Sequence, residues 1–238
     1  MLFVNFEKEK NLLPSVARSE HKIKVLRSVH AERVLIFSPH PDDDVFGMGG
    51  LIGHLVSKKA RVRTIFVTDG ARGNKSLGRS GELIGEREEE AVLSARVLGA
   101  IEVKFWRMQD CELKNDEELF ENTMGEIKSY KPDLILVPSK KDWHPDHRTV
   151  FEAVYKSVKK IKVKKERPKL WQYGVWGIED INLVMPIDEY VNLKREAISC
   201  HRSQLRIKRY DEAILGLNEY FGKGLGVSNY AEAFLEEE

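Results

Sequence analysis

The sequence predicts a single α/β domain with a mostly parallel sheet and helices on both faces. Three observations carry that prediction. From residue 33, short apolar runs alternate with helical patterns of about 10–15 residues, the arrangement of successive βαβ units. The runs end at strong punctuation, namely Pro39, Asp69-Gly70 and Pro138. No repeat and no long linker divides the 238 residues, a length that suits one large domain.

Taken in order, Arg33–Ser38 (RVLIFS) is apolar on both faces, as a buried parallel strand must be. Phe46–Lys58 is expected to be a helix, with Leu51, Leu55 and Val56 sharing a face. Val62–Thr68 is the next strand. A loop rich in Gly, Ser and Arg leads to a helix over Glu82–Leu98 that stops at Gly99. Glu102–Trp106 forms a third strand, Glu117–Tyr130 a helix, Asp133–Val137 a fourth strand and Arg148–Lys160 a helix. Beyond it, Trp171–Trp176 and Asn182–Met185 read as strands and Glu189–Ser203 as a helix. Residues 1–32 read as an N-terminal arm ahead of a domain spanning 33–238.

Composition excludes several classes. The 39 Lys+Arg balance 38 Asp+Glu, leaving +1, without the basic excess of a nucleic-acid binder. Two cysteines, Cys111 and Cys200, make no disulfide framework and suit a cytoplasmic protein. No apolar run approaches the roughly 20 residues of a membrane span. The basic run Lys156–Lys169 reads as a solvated helix end.

Chemistry concentrates in two loops. Ser38-Pro39-His40-Pro41-Asp42-Asp43-Asp44 follows the first strand, and Lys141-Asp142-Trp143-His144-Pro145-Asp146-His147-Arg148 follows the fourth. Together they hold three of the seven histidines and five aspartates. In a sheet of order 3-2-1-4-5 these strands are neighbours at the switch point, where open α/β sheets bind ligands. Either motif alone could be an ordinary turn; the pair at matching strand ends points to a site. His40 and Asp43 can supply two metal ligands from one turn, and His147 a third from the facing loop, leaving a position open for water. Asp42 stands ready to take a proton from that water. His144, with Asp146 orienting it, can stabilise an oxyanion or protonate a leaving amine. The glycines Gly47, Gly49, Gly50 and Gly53 depart from a dinucleotide fingerprint, since Ile52 occupies the third glycine's place. They read instead as points of close helix packing. His21, His30, His54 and His201 read as surface or locally bonded histidines.

Pro39-His40-Pro41-Asp42-Asp43 paired with His144-Pro145-Asp146-His147 resembles the PIG-L/LmbE family of zinc-dependent N-acetylglucosaminyl deacetylases. Thr68-Asp69-Gly70, Gly85–Glu90, Lys194–Gln204 and Tyr230–Phe234 are similar to further family segments in the same order. The resemblance implies a Rossmann-like fold and Zn²⁺, one per chain, with another divalent metal such as Fe²⁺ also compatible. It implies His40, Asp43 and His147 as ligands, Asp42 as general base, and His144 with Asp146 at the tetrahedral intermediate. Arg87 and Asp110 would hold sugar hydroxyls. The implied partners are a small-molecule amino-sugar substrate and other copies of the chain, with no nucleic acid and no membrane. Asp44 departs from the family's usual Glu. An amidase acting on a larger acyl group, a non-haem Fe(II) oxygenase and a non-catalytic sugar-binding module are the competing readings.

Overall fold

Why the loops after the first and fourth predicted strands meet is a matter of strand order. The computed structural model describes residues 23–73 and 81–237; residues 1–22 of the predicted arm lie outside them. Within the described residues, eight strands form one sheet: β1 (Lys24–Val25), β2 (Arg33–Ser38), β3 (Arg61–Thr68), β4 (Glu102–Met108), β5 (Leu134–Pro138), β6 (Lys169–Tyr173), β7 (Leu183–Pro186) and β8 (Ala231–Glu237). Their order is β1-β7-β8-β6-β5-β2-β3-β4. The run β4-β3-β2-β5-β6 is parallel and reproduces the predicted 3-2-1-4-5 arrangement. β8 is antiparallel to both β6 and β7. The helices are α1 (Asp43–Ser57), α2 (Gly81–Leu98), α3 (Glu117–Tyr130), α4 (Pro145–Lys160), α5 (Val191–Ser199), α6 (Arg202–Leu205) and α7 (Tyr210–Gly224).

The continuous apolar run of β2 is explained by the two cores it separates. Val34 and Ile36 face a core shared with Leu51, Leu55 and Ile198, while Leu35 and Phe37 face another shared with Ile127, Val150 and Val154. Fully burying such a side chain contributes about 1.5–3 kcal/mol, and alternation on the pleat sends successive residues to opposite faces.

Strand ends shift by one to three residues, most at β6, which runs Lys169–Tyr173 rather than Trp171–Trp176, and larger differences have local reasons. α1 begins at Asp43, three residues early, because acidic residues suit a first turn. α4 begins at Pro145, with proline at its first position and His144 as N-cap. The predicted helix over Glu189–Ser203 is two helices separated by Cys200 and His201. α7 and β8, which the sequence reading did not assign, close a third apolar cluster around Phe221 and Val184. The part of the predicted arm that is described contributes β1, pairing parallel with β7, and buries Leu26 and Val29.

Candidate metal centre

Side-chain and backbone hydrogen bonds shape the loop after β2. Thr68 at the end of β3 donates both its N–H (2.9 Å) and its hydroxyl (2.8 Å) to the Pro39 carbonyl. Ser38 donates to the His40 carbonyl and accepts from the Asp44 N–H. Asp43 Oδ2 accepts from the His40 N–H at 2.8 Å. β5 lies beside β2, so its following loop delivers α4 and His147 against this turn.

The result is a tight triangle. His40 Nδ1 lies 3.0 Å from Asp43 Oδ2, His147 Nε2 lies 3.1 Å from the same oxygen, and the two nitrogens are 3.3 Å apart. Tetrahedral zinc, with ligands about 2.0–2.1 Å away, needs donor atoms about 3.3 Å from one another. Those three donors fit such an ion. Two other groupings of side chains close enough to hold an ion share His40: one with His144 and His147, the other with Asp110, His144 and Asp146.

Electrostatics agree with the geometry. Burial works against protonation of both His40 and His147, yet carboxylates outweigh it: Asp43, Asp110 and Asp146 hold the His40 pKa well above its usual value. Asp43 and Asp142 raise that of His147 to about 9. Asp43, despite burial, is held well below the carboxylate range by His147 and His40. The pocket therefore favours positive charge, which a divalent cation supplies in place of the imidazolium protons.

The outer nitrogens of both imidazoles face carboxylates. His40 Nε2 lies 3.3 Å from Asp110 Oδ1 and 3.4 Å from Asp146 Oδ2; His147 Nδ1 lies 3.0 Å from Asp142 Oδ2. Such partners orient metal-binding imidazoles. Asp42 is buried, with Oδ2 3.0 Å from Arg87 Nη2. Burial raises its pKa, and Arg87 opposes the rise. Asp44 is buried and pushed up to about 7, chiefly by burial. His144 is half-buried, its ring 4.7 Å from that of His40. Burial, then His40 and His147, lower its pKa. Its Nδ1 accepts from the Asp146 N–H at 3.3 Å, so the neutral ring carries its proton on Nε2.

The eight residues selected from sequence thus lie in one neighbourhood, with three placements unlike those expected. The Asp146 carboxylate lies 3.4 Å from His40 and accepts from the Cys111 N–H at 2.8 Å, while the direct bond to His144 comes from the Asp146 N–H. Asp110 turns to His40 and to the Arg72 N–H rather than being held out for a sugar hydroxyl. Arg87, only 3% exposed, grips Asp42 and the Gly70 carbonyl. Gly70 has a φ of +61°, and a Cβ there would meet Arg87 Nη1 at 2.6 Å and Pro41 Cδ at 2.9 Å.

Sequence reasoning missed two members. Asp142 was visible in the second motif but had no role until His147 was seen to face it. His201 was read as a surface or locally bonded histidine; it is 1% exposed, 5.9 Å ring-to-ring from Phe46, and neither ring nitrogen has a hydrogen-bond partner among the described residues. The only sequence signal was its place in the Lys194–Gln204 segment.

The family described as GlcNAc-PI de-N-acetylase (PIG-L) matches residues 35–158. A diacetylchitobiose deacetylase from Thermococcus kodakarensis is 34% identical over 123 residues, 49% of this chain and 45% of that protein. The chain thus matches less than half the length of that relative. A probable N-acetyl-α-D-glucosaminyl L-malate deacetylase 2 from Bacillus subtilis is 29% identical over 73% of this chain and 83% of the relative. The solved N,N'-diacetylchitobiose deacetylase from Pyrococcus horikoshii superposes with a TM-score of 0.78 at 27% identity, covering 87% of this chain and 84% of that one.

Proposed function

Because the chain belongs to the PIG-L family of GlcNAc-PI de-N-acetylases, we propose that it is a zinc-dependent hydrolase removing the N-acetyl group from a small N-acetylglucosamine-containing substrate. The observation that carries the reading is the His40, Asp43 and His147 triangle with Asp42 beside it. An ion held by those three donors supplies Lewis acidity toward water and the amide carbonyl. Asp42 accepts the proton of the attacking water, a role that suits a buried carboxylate with a raised pKa. Arg87 holds Asp42 in place through the 3.0 Å contact. His144 presents its Nε2–H to the developing oxyanion. Asp110, Asp142 and Asp146 orient the ligand imidazoles.

Acetate release from N-acetylglucosamine, diacetylchitobiose, N-acetylglucosaminyl malate and an N-acetylglucosaminyl inositol tests the reading. At least one substrate should turn over, activity should vanish with a chelator and return with Zn²⁺, and His147→Ala should lose both metal and activity. Asp42→Ala should keep zinc while losing about 10²–10⁴-fold in rate. Full activity in folded Asp42→Ala overturns the mechanism. The reading includes a homo-oligomer in the cytoplasm. Its support is the family resemblance and β4, a sheet edge with exposed Leu93 and Ile101 nearby. Light scattering reports the mass, and a monomer removes that part. Among the described residues no helix is long and apolar enough to cross a membrane.

A further inference from the structure

Helix α1, which opens on Asp43, is broken at Met48 (φ −149°, ψ 27°). In an unbroken helix the Gly50 N–H would donate to the Phe46 carbonyl and the Leu51 N–H to that of Gly47. Here Gly50 N–H donates to Glu232 Oε1 at 2.8 Å and Leu51 N–H to Glu232 Oε2 at 2.7 Å. The Phe46 carbonyl accepts from Lys194 Nζ at 2.9 Å, and Lys194 Nζ donates to Glu232 Oε1 at 2.7 Å. A buried ion pair from two distant elements, α5 and β8, thus fills the break. Its polarity matches the helix ends it meets, with the carboxylate on leading N–H groups and the ammonium on a trailing carbonyl.

Both side chains are 0% exposed. A buried ion pair is a poor source of net stability, because desolvation offsets much of the attraction and apolar replacements often serve as well. What this pair supplies is direction: a kink held by four hydrogen bonds of defined geometry. The surrounding sequence makes room for it. A Cβ on Gly49 would sit 2.9 Å from Lys194 Cγ, and one on Gly50 would sit 2.6 Å from Ile187 Cγ2.

We propose that Lys194 and Glu232 are positioning residues for the metal centre. By holding the kink they set the direction of the first turn of α1, and with it Asp43 and the His40–Asp43 contacts. The inference rests on the reading of His40, Asp43 and His147 as ligands. The hydrogen bonds of Lys194 and Glu232 reach Phe46, Gly50, Leu51 and one another, and none of the three donors.

The test uses the full-length protein with Glu232→Gln and Lys194→Met, which keep much of the side-chain volume. Ile127→Ala, in the core across the sheet, serves as an equally destabilised comparator. Zinc affinity is read by competition with a chromophoric chelator, and the Co²⁺ form by its visible spectrum. Both pair variants should bind zinc about 10–100-fold more weakly. The Co²⁺ bands should shift, and kcat should fall about tenfold while KM stays within about threefold. Ile127→Ala should keep wild-type affinity and spectrum. If neither pair variant folds, Gly49→Ala retains both charges while crowding Lys194, and the same readouts apply. Wild-type zinc affinity and Co²⁺ spectrum in the folded variants would overturn the proposal, leaving the pair purely structural. A wild-type protein that binds zinc no better than His147→Ala instead refutes the ligand assignment beneath it.

Discussion

The parallel strands β4-β3-β2-β5 and the mixed strands β6-β8-β7 contribute to the centre in opposite ways. The loops after β2 and β5 supply all three donors of the triangle. The chain from β6 onward supplies none of them, yet it sends buried polar groups into the helices behind them. Glu90 of α2 accepts from the N–H (2.7 Å) and hydroxyl (2.6 Å) of Ser203. His201 lies against Phe46, and Lys194 with Glu232 fills the break in α1. The contrast teaches that the donors sit where parallel strands end, while the helices behind them are braced by polar groups from the later, mixed part of the sheet. Changes in the first region should cost activity more than stability, and changes in the second should cost both.

Arg87→Met breaks that distinction most severely, because Arg87 joins Asp42 in the loop after β2 to α2, the helix that α6 supports. Asp42 would be left buried without its partner, which costs about 3–5 kcal/mol in comparable pairs. Urea unfolding of the metal-free protein should record the loss, together with a fall in deacetylation; a change under 1 kcal/mol would mean that Asp42 is well solvated.

Acid should expose the second region next. Burial, helped by Arg87, lowers the His201 pKa to about 3, below the usual 6.5 of the unfolded chain. On acidification the unfolded state therefore takes up the proton first. Stability should be independent of this group above pH 6.5 and fall by up to about 1.4 kcal/mol per pH unit between 6.5 and 3. His201→Leu should flatten that part of the curve, and an unchanged slope would reject the assignment.

Ser203→Ala should cost less, about 1–3 kcal/mol, because Glu90 loses one of its two bonds from Ser203. A thermal or urea midpoint measures it. Arg61→Ala is the smallest change: its 3.0 Å pair with Glu102 is exposed, so stability should move by no more than about 1 kcal/mol. Deacetylation should be unaffected, which makes this variant the baseline for the others.

Legibility follows the same divide. The parallel strands could be read because burial on both faces writes continuous apolar runs such as RVLIFS and DLILV. The two His/Asp motifs could be read because residues that share a turn are adjacent in sequence. β8 was harder, since AEAFLEE carries glutamates that find partners only across the fold, Glu232 with Lys194 and Glu237 with Lys140. His201 was misread for a related reason: a histidine is polar by composition, and nothing local reveals that Phe46 and the helices around it will enclose it.

By itself, the sequence determined the parallel α/β frame, the two loops and the identities of the residues gathered there, because periodicity and motif spacing are local properties. Tertiary structure alone decided which carboxylate faces which imidazole. Asp146 and Asp110 meet His40, Asp142 meets His147, and Arg87 meets Asp42. It also decided that Lys194 and Glu232 fill the break in α1. Those pairings depend on where strands and helices come to rest once two cores are packed, and Gly50 and Glu232 are 182 residues apart along the chain.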